Sequence, residues 1–119
     1  MKRKILVVDD EPGIIEVIKA RLEANDYEVI TANNGLEAFV KASEEKPDLI
    51  ILDVSMPTMD GLKFVQATRG FEMKDTPILI LTALRLTKEA FKSFGVDHFL
   101  CKPFKSDELL LKVAECMKD

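Results

Sequence analysis

The chain has 119 residues, with 17 Lys plus Arg against 21 Asp plus Glu, a net charge of −4, and 47% apolar residues. At about 100–200 residues per domain this predicts a single domain, residues 1–119, with enough apolar side chains for one core and too many for an acidic disordered tail. The negative balance excludes direct nucleic-acid binding through overall charge, and the longest apolar runs, four residues each, exclude a membrane span, which needs about 20.

The basic start, Lys2-Arg3-Lys4, is followed by an apolar stretch that stops at Asp9-Asp10, too soon for a signal peptide, so a cytoplasmic location is expected. Ile5-Leu6-Val7-Val8 reads as a strand buried on both faces, as in a parallel sheet covered by helices. Next, Ile14, Ile15, Ile18 and Leu22 share one face of a helix whose first turn accommodates Pro12. Tyr27 to Thr31 is a wetter flanking strand, carrying Glu28. Leu36, Phe39 and Val40 form the apolar face of a second helix closed by Pro47. Leu49-Ile50-Ile51-Leu52 is a second doubly buried strand, followed by a helix bearing Leu62, Val65 and Arg69. Met56 and Met59 read as packing within the loop after Asp53.

Ile78-Leu79-Ile80-Leu81 is the third buried strand. Thr87 caps a short fourth helix that brings Phe91 and Phe94 to the core, leaving Leu84-Arg85-Leu86 as loop. Asp97 to Cys101 is a flanking strand on which His98 reads as exposed and Cys101 as an inert half-buried thiol. Ser106 starts a fifth helix with Asp107 and Glu108 in its first turn. Cys101 and Cys116 form neither a C-x-x-C pair nor a Cys/His cluster, so disulfide and zinc readings lack support.

Five βα units with right-handed crossovers predict an α/β fold, a doubly wound five-stranded parallel sheet in the order 2-1-3-4-5. Ligands in such sheets bind beyond the carboxyl ends of the strands, where the first and third strands adjoin. There the chain places Asp9-Asp10-Glu11, Asp53, Thr82 and Lys102-Pro103. Three carboxylates facing one another repel by roughly 4 kcal/mol per close pair at an effective dielectric of 20, so the rim calls for a cation. Oxygen-only ligands, few in number, point to Mg²⁺, with Mn²⁺ as a substitute. Taken singly, Asp9 and Asp10 also read as turn formers or helix caps, Thr82 as a strand residue and Lys102 as a solvated lysine.

Asp9-Asp10-Glu11, Leu52-Asp53 with Met56-Pro57 and Met59-Asp60-Gly61, Leu81-Thr82-Ala83, and Lys102-Pro103-Phe104 resemble the receiver domain of two-component response regulators over the whole chain. The resemblance implies the CheY-like (βα)5 fold and a phosphorylation-dependent signalling switch, not an enzyme beyond its own phosphoryl transfer and dephosphorylation. A sensor histidine kinase or phosphotransfer protein would phosphorylate Asp53, and an unknown downstream protein would read the face of the fourth helix, fifth strand and fifth helix. By the same resemblance Asp10, Asp53, the backbone carbonyl of Ser55 and, partly through water, Asp9 would hold Mg²⁺. Lys102 would pair with the phosphoryl oxygens, Thr82 would hydrogen-bond the phosphoryl group, Phe99 would change rotamer, and the Lys102-Pro103 bond would be cis. The oligomeric state it implies is a monomer or a weak phosphorylation-dependent dimer.

The chain differs from the family's usual pattern at three places. Phe99 stands where tyrosine is frequent, the stretch from Thr82 to Gly95 looks a couple of residues short, and Val96-Asp97-His98 replaces Ala-Asp-Asp. Two other functions compete. A small aspartyl-phosphate phosphatase would want a second carboxylate two residues after the nucleophile, where Ser55 stands, and a flavodoxin-like binding module would want a Gly-rich first turn in place of the acidic one.

Overall fold

The computed structural model describes residues 2–54, 59–70, 72–82 and 87–117. Five strands, β1 (Lys4–Val8), β2 (Glu28–Ala32), β3 (Leu49–Val54), β4 (Ile78–Thr82) and β5 (His98–Cys101), form one parallel sheet in the order β2-β1-β3-β4-β5. Between and after them run α1 (Pro12–Glu23), α2 (Gly35–Glu45), α3 (Met59–Arg69), a 3-10 turn (Glu72–Asp75), α4 (Thr87–Lys92) and α5 (Ser106–Cys116).

The sheet divides the apolar side chains into two cores by strand alternation. Leu6, Val8, Ile50, Leu52, Ile78 and Ile80 face α2, α3 and α4, while Ile5, Val7, Leu49, Ile51, Leu79 and Leu81 face α1 and α5. All twelve are buried, which is why these strands read as continuous apolar runs in the sequence. Each such side chain contributes about 1.5–3 kcal/mol by burial, so the three central strands carry much of the fold's stability.

Local signals set the helix ends. Pro12 occupies the first position of α1, where no N–H is needed, and the Glu11 carbonyl accepts from Ile14 and Ile15. Asn34 Oδ1 accepts the Glu37 N–H at 2.8 Å at the start of α2, and Lys46, in the left-handed region at φ 49°, ends it before Pro47. At α5, Glu108 Oε1 accepts the Lys105 N–H at 3.0 Å.

Several side chains depart from the sequence-based reading. On α2 the buried residues are Ala38 and Ala42, whereas Leu36 is 78% and Val40 46% exposed, with only Phe39 partly buried. The expected apolar face is therefore rotated outward, because the close packing of α2 on the sheet admits alanines. On α3, Val65 and Phe64 are buried, and Leu62 and Arg69 are half-buried. Met59 begins α3 rather than belonging to the preceding loop. Thr87 is the first residue of α4, a helix of 6 residues, with Phe91 buried and Phe94 half-buried. Cys101 is exposed rather than half-buried, because β5 is an edge strand and Cys101 its last residue, while His98 is half-buried rather than exposed. Ser55, Met56, Pro57, Leu84, Arg85 and Leu86 lie outside the described residues.

Candidate functional site

The site is built by strand register. Val8 is level with Leu52 on the adjacent strand, so the next residues, Asp9 and Asp53, stand side by side at the carboxyl rim. Thr82, the last residue of β4, is level with Val54 on one side and Cys101 on the other, and its carbonyl accepts the Lys102 N–H at 2.9 Å. The Lys102-Pro103 peptide is cis.

Asp53 has a fully buried side chain, and its Oδ1 receives the ammonium of Lys102, whose own side chain is 22% exposed. Lys102 is thus engaged at the rim rather than solvated. Asp53 Oδ2 is buried with no hydrogen-bond partner. The buried Asp9 carboxylate accepts the Glu11 N–H at 3.1 Å through Oδ1, forming the turn that leads into α1, and its Oδ2 is likewise buried and unpartnered. Asp9 therefore fulfils its turn-forming role with one oxygen and leaves the other for something else.

Burial pushes the Asp9 carboxyl up to about 7, opposed by the Glu11 N–H and reinforced by the neighbouring Asp53 and Asp10 carboxylates. Asp10 itself is exposed. Among the described residues no group of three or more His, Cys, Asp or Glu side chains is arranged as a ready-made metal cage. What the rim offers is a buried pair of carboxylates, each with an oxygen lacking a donor, and a third carboxylate at its outer edge. Oxygen ligands of this kind suit a hard divalent cation that keeps much of its water, so the residues present fit Mg²⁺.

The two faces of the sheet contribute differently. Thr82 lies two residues beyond Ile80 and so shares the face of Phe99, which is level with Ile80 and packed in the same core; both are buried. Asp53 and Lys102 instead open into a groove of about 620 Å³ between α1 and α5, lined among others by Ile14, Val17 and Phe104. The groove is the part of the site that sequence reasoning missed. Its signal was the exposed position of Val17 on the helix face opposite Leu22 and the aromatic residue two places after Lys102.

Comparison with known proteins agrees with this fold. Residues 5–114 match the family described as response regulator receiver domain. Over 120 residues the chain is 41% identical to the alkaline phosphatase synthesis transcriptional regulatory protein PhoP of Bacillus subtilis, covering 99% of this chain and 50% of that protein. The chain thus spans about half the length of the curated relatives it matches. Among solved structures, the chemotaxis response regulator CheY4 of Vibrio cholerae is similar at a TM-score of 0.89 and 39% identity, covering 98% of this chain and 99% of that one. The response regulator TrrA of Thermotoga maritima, solved in complex with Mg²⁺ and BeF, is similar at 0.83 and 40% identity, covering 96% and 98%.

Proposed function

The chain belongs to the response regulator receiver family, a family of signalling modules rather than classical enzymes, and from that premise we propose that it is a phosphorylation-dependent switch with Asp53 as its phosphoacceptor. The donor is the phosphohistidine of a sensor histidine kinase or of a phosphotransfer protein. One observation carries this reading: a fully buried carboxylate that holds Lys102 on one oxygen and has no partner on the other, beside a second buried carboxylate with an unpartnered oxygen. An unneutralised cluster of this kind costs stability, and a fold keeps it where chemistry requires it.

In the reaction a carboxylate oxygen of Asp53 forms a bond to phosphorus as the P–N bond of the phosphohistidine breaks, the bonding pair remaining on the imidazole nitrogen. Lys102 is placed to follow the charge as it moves onto the phosphoryl oxygens. Asp9, Asp53 and, after turning inward, Asp10 would hold Mg²⁺ together with the Ser55 carbonyl; the ion would supply charge neutralisation of the carboxylate cluster and of the phosphoryl oxygens. The groove between α1 and α5 leads to Asp53 and is the approach for the donor. Phosphorylation replaces a charge of −1 by about −2, and the Thr82 hydroxyl gains a strong acceptor on the face it shares with Phe99. That pull biases α4, β5 and α5 toward a second arrangement read by the downstream partner. A cytoplasmic location goes with this reading.

Mass spectrometry after incubation with acetyl phosphate and Mg²⁺ tests the assignment. The expected result is a single adduct of about +80 Da on the wild type and none on Asp53→Asn. An adduct of normal stoichiometry on the variant overturns it.

A further inference from the structure

A lysine side chain is long and flexible, so how well the Lys102 ammonium meets Asp53 depends on where the main chain at Lys102 is held. Upstream, the Lys102 N–H donates to the Thr82 carbonyl at 2.9 Å, which fixes the end of β5 against β4. Downstream, residues 102–105 link β5 to α5. Pro103 is exposed and has no N–H to donate, while Lys105 is exposed and gives its N–H to Glu108 Oε1 at 3.0 Å within the α5 cap. Phe104, between them, is half-buried and packs on the core shared by α1 and α5. Its ring is what ties this link to the interior.

The tie lies where it bears on the site. Phe104 lines the groove with Ile14, Ile18 and Leu109, and Asp53 and Lys102 line the same groove. Ile18 and Leu109 are themselves buried, so the ring rests on closely packed side chains. An anchor two residues from Lys102 narrows the positions from which the ammonium is presented, and truncating the ring frees the link without altering either charged group.

We infer that Phe104 is a positioning residue for Lys102: its ring, seated on the α1/α5 core, holds the β5–α5 link so that the ammonium is already aimed at Asp53 when a phosphoryl group arrives. The hold on Asp53 is a property of the resting protein. Its use in phosphoryl transfer rests on the function proposed above. Phe104 touches no reacting atom and acts through Lys102.

A double-mutant cycle tests the inference. In urea denaturation without metal, Lys102→Ala is expected to destabilise the wild type and to destabilise Phe104→Ala clearly less, because a lysine on a loosened link has less pairing to lose. Phe104→Leu, which keeps an apolar anchor, should restore the full cost of removing Lys102. With Mg²⁺ and acetyl phosphate, a donor that needs no protein docking surface, Phe104→Ala should be phosphorylated at least ~10-fold more slowly than the wild type and Phe104→Leu nearly as fast. An unchanged circular dichroism spectrum checks that each variant is folded. An equal cost of Lys102→Ala in the wild type and in Phe104→Ala, or phosphorylation of Phe104→Ala at the wild-type rate, overturns the inference. A wild type that takes up no phosphoryl group while the cycle shows the expected coupling overturns the proposed function and upholds the positioning role.

Discussion

Two lysines, one at each end of the sheet, show opposite uses of an ion pair. Lys4 opens β1 at the amino rim, where its ammonium lies 3.0 Å from Glu45 and 3.8 Å from Glu28 and its main-chain N–H donates to Asp48 at 2.8 Å. All these acids are exposed, and the hydrogen bond to Glu45 raises the Lys4 pKa. Lys102 follows β5 at the carboxyl rim and serves one acid, Asp53, whose side chain is fully buried. The amino rim ties β1, β2 and α2 together in water, where such pairs contribute little and can be exchanged. The carboxyl rim concentrates unsatisfied charge: of the three buried polar side-chain atoms without a partner among the described residues, two are oxygens of Asp9 and Asp53. The third, Arg69 Nε, belongs to a guanidinium whose Nη1 donates to the Lys74 and Thr76 carbonyls, so that residue still acts as a brace. A fold stabilised throughout would neutralise its carboxyl rim as it does its amino rim; this one leaves it incomplete, as the proposed acceptor role of Asp53 requires.

This contrast can be broken by removing each lysine. The largest effect on stability is expected for Lys102→Ala, which leaves the buried Asp53 without its counter-charge and should cost about 2 kcal/mol at neutral pH in metal-free protein. Adding Asp53→Asn to that variant should recover most of the loss, as read by urea denaturation. Smaller is the gain from Mg²⁺: at ten times its dissociation constant it should stabilise the wild type by about 1.4 kcal/mol, and Asp10→Ala should respond much less. Equal shifts in melting temperature would remove Asp10 from the ligand set.

Asp53→Asn alone, in metal-free protein, should leave stability unchanged or raise it by up to about 1 kcal/mol, since the carboxylate repulsion it relieves offsets the lost pair with Lys102. A large destabilisation would show that the pair is a structural tie like that of Lys4. Smallest of all, Lys4→Met should move the melting midpoint by ~2 °C or less, and the shift should vanish in high salt. A shift as large as that of Lys102→Ala would abolish the distinction between the rims.

The strands and the rim were legible because both depend on neighbours in sequence. Four consecutive aliphatic residues have no water-facing side, so Ile5–Val8, Leu49–Leu52 and Ile78–Leu81 had to lie in a sheet covered on both faces. The residue after each run then falls at a strand end wherever the strand sits, which put Asp9, Asp53, Thr82 and Lys102 on one rim. The faces of the helices were less legible. Leu36 and Val40 have the spacing of a buried stripe, yet Ala38 and Ala42 occupy it.

Periodicity thus settled which segments are helices and strands, and strand ends settled which polar residues share a rim. Only the assembled sheet decided how each helix is turned about its axis and which oxygens lack a donor. Both follow from how packed elements meet and from register across strands far apart in the chain: α2 turns Ala38 and Ala42 rather than Leu36 and Val40 to the core, and level placement of Val8 with Leu52 is what sets Asp9 against Asp53.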